Sequence, residues 1–108
     1  MSETLEKIWR LVSNNAYKVS EHALAELEQD DISLAEIVDG LGGSLIVEDY
    51  PTAWKGASVL VLATLKSGDR AHALWGIPNS GGDMAVLITA YRPEAAKWFP
   101  DLLRRRLK

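Results

Sequence analysis

The chain contains no cysteine, which excludes disulfide scaffolds, thiolate zinc sites and cysteine nucleophiles. Its two histidines are too few for a histidine-rich metal cage, and no acidic pair has a histidine at metal-ligand spacing. No metal and no cofactor is therefore expected. No apolar run approaches the roughly 20 residues that a membrane span needs, so no membrane partner is expected either. Met1-Ser-Glu-Thr-Leu-Glu-Lys7 lacks the basic end and apolar core of a secretion signal, so the expectation is a cytoplasmic protein. Repeats, low-complexity stretches and linkers are absent as well. What is present is an ordinary globular balance of 47% hydrophobic and 25% charged residues in 108, which excludes intrinsic disorder and predicts one domain over 1–108.

The net charge of -3 conceals an asymmetry. Residues 1–50 hold eleven Asp and Glu against three Lys and Arg, a balance of -8, while residues 51–108 hold four acids against nine bases, a balance of +5. The second half can offer a positive surface to an anionic ligand that the first half repels.

Helical spacing dominates the first forty residues. Leu5, Ile8, Trp9 and Val12 form an apolar stripe widened by Leu11, with Ser2 or Thr4 as cap and Asn14-Asn15 as stop. A second helix is predicted from about Ser20 to Asp30, burying Ala23, Leu24 and Leu27. Ser33-Leu-Ala-Glu36 reads as a capping box opening a short third helix that ends at Gly40. The pattern then changes to period two. Strands are predicted over 45–50, 57–65, 70–77 and 84–90, with turns at Lys66-Ser-Gly-Asp69 and at 78–83. Residues 57–65 are apolar on both faces, as a strand covered on both sides would be. Asp101 to Lys108 reads as a short terminal helix. The expected fold is α+β, with two to three N-terminal helices on a four-stranded antiparallel sheet.

Alternation also predicts a register. If Ala71, Ala73, Trp75 and Ile77 share the helix-covered face with Met84, Val86, Ile88 and Ala90, then His72 lies opposite Thr89 and Arg70 opposite Tyr91. That gathers Arg70, His72, Thr89 and Tyr91 into one patch, floored by Ala63, Leu65 and Leu74. A bulge at Gly76 or in the Gly81-Gly82 loop would shift the count by one.

Such a patch suits a phosphate ester. Arginine offers a bidentate fork, histidine moves a proton near neutral pH, and the hydroxyls of Thr and Tyr donate to developing charge. The same residues are also reasonable cross-strand pairs on a half-exposed face. His22, at the start of the second helix, is a second candidate proton carrier beside free backbone N–H groups. Trp9 and Trp75 fit core stripes, whereas Trp54 and Trp98 read as loop anchors or as stacking platforms for a base. Arg104-Arg105-Arg106 reads as a solvated helix end or a phosphate contact.

Several strings together resemble a bacterial domain-of-unknown-function family, number 4258. They are Ser20-Glu-His-Ala23, Ile32-Ser33, Leu45-Ile-Val-Glu-Asp-Tyr-Pro51, Ala71-His-Ala73 and Leu87-Ile-Thr-Ala-Tyr-Arg-Pro93 followed by Trp98. The resemblance covers about residues 17–99. It implies a fold similar to RelE-type toxins and barnase-like ribonucleases, and metal-independent RNA cleavage. It implies roles for His22, His72, Thr89 and Tyr91, three of which the register argument had already grouped. Glu26 and Asp30 depart from it, standing where relatives usually carry arginines, an exchange unfavourable for RNA affinity.

Two functions are thus expected. One is a toxin-like, RNA-binding endoribonuclease in which His72 or His22 deprotonates a ribose 2′-OH, Arg70 holds the phosphate, and Thr89 and Tyr91 orient it, with an antitoxin as partner. The other is a non-catalytic interaction module that binds a basic protein. Whether copies of the chain associate is left open.

Overall fold

The computed structural model describes residues 2–79, 83–98 and 100–103. Helix α1 (Glu3–Ser13) opens on Ser2, whose hydroxyl accepts from the Leu5 N–H at 3.1 Å. It ends where Asn15 turns the chain at φ 60. Its buried stripe is Thr4, Ile8 and Val12, an i, i+4, i+8 row. Trp9 lies outside that narrow row, so it stays 49% exposed over Gly42 rather than entering the core as its spacing predicted.

After α1 comes a strand absent from the sequence reading, β1 (Tyr17–Val19), which runs parallel to β5. The sheet also contains β2 (Leu45–Tyr50), β3 (Gly56–Thr64), β4 (Arg70–Pro78) and β5 (Ala85–Tyr91) in the order β1-β5-β4-β3-β2. It is therefore a five-stranded mixed sheet, not a four-stranded antiparallel one, although β2 to β5 pair antiparallel throughout. Three residues wedged between a turn and a helix cap are too few to show period two, which is why β1 escaped notice.

Helices α2 (Glu21–Gln29) and α3 (Leu34–Asp39) follow β1, and a 3-10 turn over Leu41–Gly43 leads into β2. Ser20 caps α2, accepting from the Ala23 N–H at 3.0 Å. Ser33 stands at the start of α3 but makes no side-chain cap bond. The expected capping box does not form, because the Glu36 carboxylate accepts from the Lys66 N–H at 2.9 Å instead. On α2, Ala23 and Leu27 are buried, but Leu24 is 51% exposed, a third of a turn off the inward row.

The sheet's inner face meets the helices. Val59, Val61, Ala71, Ala73, Trp75, Leu87 and Ala90 pack there with Ile8, Val12, Leu27 and Ile37. Leu60 and Leu62 point to the outer face and are also buried, as the two-sided apolar pattern predicted. Ala63 and Leu65 belong to the helix side, so they do not floor the outer patch. No helix among the described residues is long and apolar enough to cross a membrane. Asp101–Leu103 form a turn and bend; the remainder of the expected terminal helix, with Arg104, Arg105 and Arg106, lies outside the described residues. So do Gly81 and Gly82 of the loop before β5.

Candidate functional site

The register of β4 and β5 decides what the site contains. His72 pairs with Tyr91, Ala73 with Ala90, and Leu74 with Thr89; the count then slips so that Trp75 faces Leu87 and Gly76 faces Val86. The predicted His72–Thr89 and Arg70–Tyr91 oppositions are therefore wrong by two residues. Ile88 is the extra residue of the bulge. Its Cδ1 sits 2.8 Å from where a Gly76 Cβ would be, so the missing side chain on β4 makes room for it. The slip moves Leu87 into the core and leaves Ile88 37% exposed and Val86 half-buried on the outer side. The apolar set assigned inward from the sequence was thus the wrong one below the bulge. Above it the parity holds, and Arg70, His72, Thr89 and Tyr91 do share the outer face.

That face is not open at His72. The imidazole has 0% exposure, and its Nε2 donates to the Leu102 carbonyl at 2.7 Å. The Trp98 ring lies 4.2 Å from it, and the Tyr91 ring stands edge-on at 5.4 Å. Trp98 is itself only 5% exposed. Residues 93–98 and 100–103 form a strap over the outer face, with Trp98 and the Leu102 carbonyl as its fastenings. A buried imidazole is costly unless its polar atoms are satisfied, and the strap supplies that acceptor. Arg70 is half-buried beside His72, and its Nε is out of solvent with no hydrogen-bond partner. Trp98 is thus a loop anchor, and Trp54, at 85% exposure, is not.

Thr89 and His22 belong to a different grouping, centred on Glu26. Glu26 Oε1 accepts from the Thr89 hydroxyl and, at 3.1 Å, from the Ala90 N–H; His22 Nε2 lies 3.3 Å from the same oxygen. His22 itself is a first-turn side chain that is 71% exposed.

These contacts are part of a larger pattern. β5 extends beyond the three residues of β1, and α2 lies along the edge left uncovered. Ser20 donates to the Ile88 carbonyl at 2.8 Å, Glu26 accepts from Ala90, and Asp30 Oδ2 accepts from the Arg92 N–H at 2.8 Å. Side chains of one helix take the place of a neighbouring strand, satisfying backbone groups that would otherwise be an exposed edge. Arg92 returns the favour at the C-terminal end of α2, where carbonyls point outward and acids are unfavourable. Its Nε reaches the Asp30 carbonyl at 2.8 Å, one terminal nitrogen the Asp31 carbonyl at 3.3 Å, and the other the Asp69 carboxylate at 2.9 Å.

Between α2 and the strap lies a cleft of about 420 Å³ whose walls include Glu26, Gln29, Asp30, Tyr91, Glu94 and Trp98. Lys97 on its rim is held by Glu94 at 3.6 Å. Among the described residues no group of three His, Asp or Glu side chains converges on a cation position. Sequence reasoning missed the strap and the edge-capping acids. A signal for the latter existed: Ser20, Ala23, Glu26, Leu27 and Asp30 form one continuous helical stripe, in which the polar members sit beside the buried ones.

Residues 19–92 match the family model described as Domain of unknown function (DUF4258), and the chain belongs to that family. The match takes in His22, Glu26, His72, Thr89 and Tyr91 and stops at Arg92, short of the strap. No curated protein and no solved structure matches.

Proposed function

We propose that this member of the DUF4258 family is a non-catalytic interaction module that binds a basic protein partner through the exposed carboxylates of α2 and α3. The observation that carries this choice over catalysis is the 2.7 Å bond from His72 Nε2 to the Leu102 carbonyl beneath Trp98. The bond commits Nε2 to donation, and the whole ring, at 0% exposure beneath Trp98, is out of reach of a ribose hydroxyl in this arrangement. Charge supports the same reading. Residues 20–40 contain seven carboxylates and no Lys or Arg. Glu26, Asp30 and Glu36 accept from backbone N–H groups. Glu21, Glu28, Asp31 and Asp39 are exposed and, among the described residues, in no ion pair. Such a surface repels a polyphosphate and attracts lysines and arginines.

A second reading, the toxin-like endoribonuclease acting without metal, is favoured by one observation: Arg70, His72, Thr89 and Tyr91 share a face. It requires the strap to lift. Fluorescence anisotropy with an arginine-rich peptide and with single-stranded RNA, at low and moderate salt, separates the two. The interaction module binds the peptide in a salt-sensitive way and loses it on combined Glu21→Lys and Glu28→Lys substitution. Cleavage of RNA in EDTA to 2′,3′-cyclic phosphate ends, by wild type or by Trp98→Ala but not by His72→Ala, would establish the other.

A further inference from the structure

The strap covers only part of the outer face, and the bare remainder has a shape of its own. Tyr50, Ser58 and Gly76 are in register across β2, β3 and β4, and Ile88 closes the row from β5. The two small residues in the middle leave, beside Ile88, a trough of about 540 Å³ that is also walled by Ala57, Ile77 and Pro78. That volume lies within the roughly 300–1,000 Å³ range of sites that take up a small organic group.

At the rim stands Trp54, 85% exposed, the most exposed large apolar side chain described. Its loop is fixed. Asn79 Nδ2 donates to the Trp54 carbonyl at 3.0 Å, the Asn79 N–H donates to the Lys55 carbonyl at 3.2 Å, and the Gly56 N–H donates to the Ala53 carbonyl at 3.0 Å. An indole held out in water on a pinned loop gains nothing from folding, and tryptophan is among the residues most enriched at the energetic centres of interfaces.

We propose that this half of the outer face is a two-fold interface between copies of the chain, in which Trp54 of each copy fills the trough of the other. A two-fold contact demands that knob and hole lie on one surface, because residue i must meet j while j meets i. Here they adjoin: Ala53 and Lys55, the neighbours of Trp54, line the trough. A second copy related by one symmetry axis fills the trough and covers Trp54 at once, with no surface needed beyond this one. Charge is complementary as well. Lys55, whose Nζ lies 5.6 Å from the Trp54 ring centroid, is the cation on this rim, and Glu48, which accepts from the Tyr50 hydroxyl, is an exposed carboxylate on the same face. This proposal is independent of the acidic surface of α2 and α3, which lies on other elements.

Sedimentation velocity of the full chain from micromolar to near-millimolar concentration tests it. The expected result is a monomer–dimer equilibrium that Trp54→Ala weakens by about 30-fold or more, the effect of truncating an interface anchor. Gly76→Val, which fills the trough, should weaken it similarly, while Leu24→Ser on the exposed side of α2 leaves it unchanged. Far-UV circular dichroism confirms that each variant folds, and Trp54→Ala alone suffices should Gly76→Val not fold. A monomer at all concentrations overturns the proposal. So does a dimer indifferent to Trp54→Ala, or a monomer whose Trp54 instead binds an RNA oligonucleotide.

Discussion

Replacing Glu26 by leucine removes the acceptor that α2 presents to β5. Ala90 is fully buried, so its N–H would be left without a partner and without water. An orphaned buried donor costs about 1–3 kcal/mol, and the upper half of that range applies when the lost partner is charged. The Thr89 hydroxyl loses the same oxygen, but Thr89 is half-buried and water can replace the bond, so it adds less than about 1 kcal/mol. The expected loss is about 2–3 kcal/mol, which at this size lowers Tm by about 8–12 °C. Glu26→Gln keeps an acceptor oxygen in place and should cost less than half as much. Glu26→Arg offers five donors and no acceptor, and should be at least as damaging as leucine. Calorimetry gives the stabilities, and hydrogen exchange at the Ala90 amide gives the local cause, since only that proton should lose protection out of proportion to the global change. Equal losses for Gln and Leu would show that charge, not acceptance from the β5 edge, is what matters there. A leucine variant as stable as wild type would refute the edge-capping argument altogether.

Two other substitutions probe the same framework. Arg92→Lys keeps the charge but not the fork that joins the Asp30 and Asp31 carbonyls, at the end of α2, to Asp69. The half-exposed Asp69 pair contributes less than about 1 kcal/mol, so Arg92→Lys should cost about 1–2 kcal/mol in urea titration, mostly from the carbonyl bonds; no measurable change would show that the fork is dispensable. Gly56→Ala puts a Cβ 2.2 Å from the Ile77 carbonyl oxygen at φ 133, adding a backbone clash to the strain of about 1–3 kcal/mol that such a conformation carries. Gly68→Ala, at φ 92 in open space, should carry the strain alone, so similar urea midpoints for the two variants would contradict this account.

How much of this was legible in the sequence depended on the length over which each pattern ran. Strands β2 to β5 and helices α1 to α3 declared themselves because each repeats its period several times or carries a stop signal at its end. The common face of Arg70, His72, Thr89 and Tyr91 followed from period two alone. The register did not, because Ala85-Val-Leu-Ile-Thr-Ala90 is apolar at odd and even positions alike, and the choice between Leu87 and Ile88 was made by the vacancy over Gly76. Burial of His72 was invisible for another reason. It depends on Trp98 and Leu102, thirty residues on and in no regular element, and nothing in a polar position on an alternating strand reveals that a distant indole will cover it.

The acids of α2 tie the fold to the proposed interaction more tightly than either histidine does. A strand edge like that of β5 beyond β1 needs partners for its backbone groups; Ser20 donates to the Ile88 carbonyl, and Glu26 and Asp30 accept from the N–H groups of Ala90 and Arg92. Arginine has five donors and no acceptor, so it cannot stand at Glu26 or Asp30 and make those two bonds. The two carboxylates therefore do more than set the surface potential. They hold β5 in place, while Arg92 neutralises the helix end. Two cations that line the cleft with Glu26 are held within the fold: Arg92 on the Asp30 and Asp31 carbonyls and the Asp69 carboxylate, and Lys97 on Glu94. A site arranged to grip RNA would leave such cations free, whereas a surface arranged to receive a basic protein has no need of them.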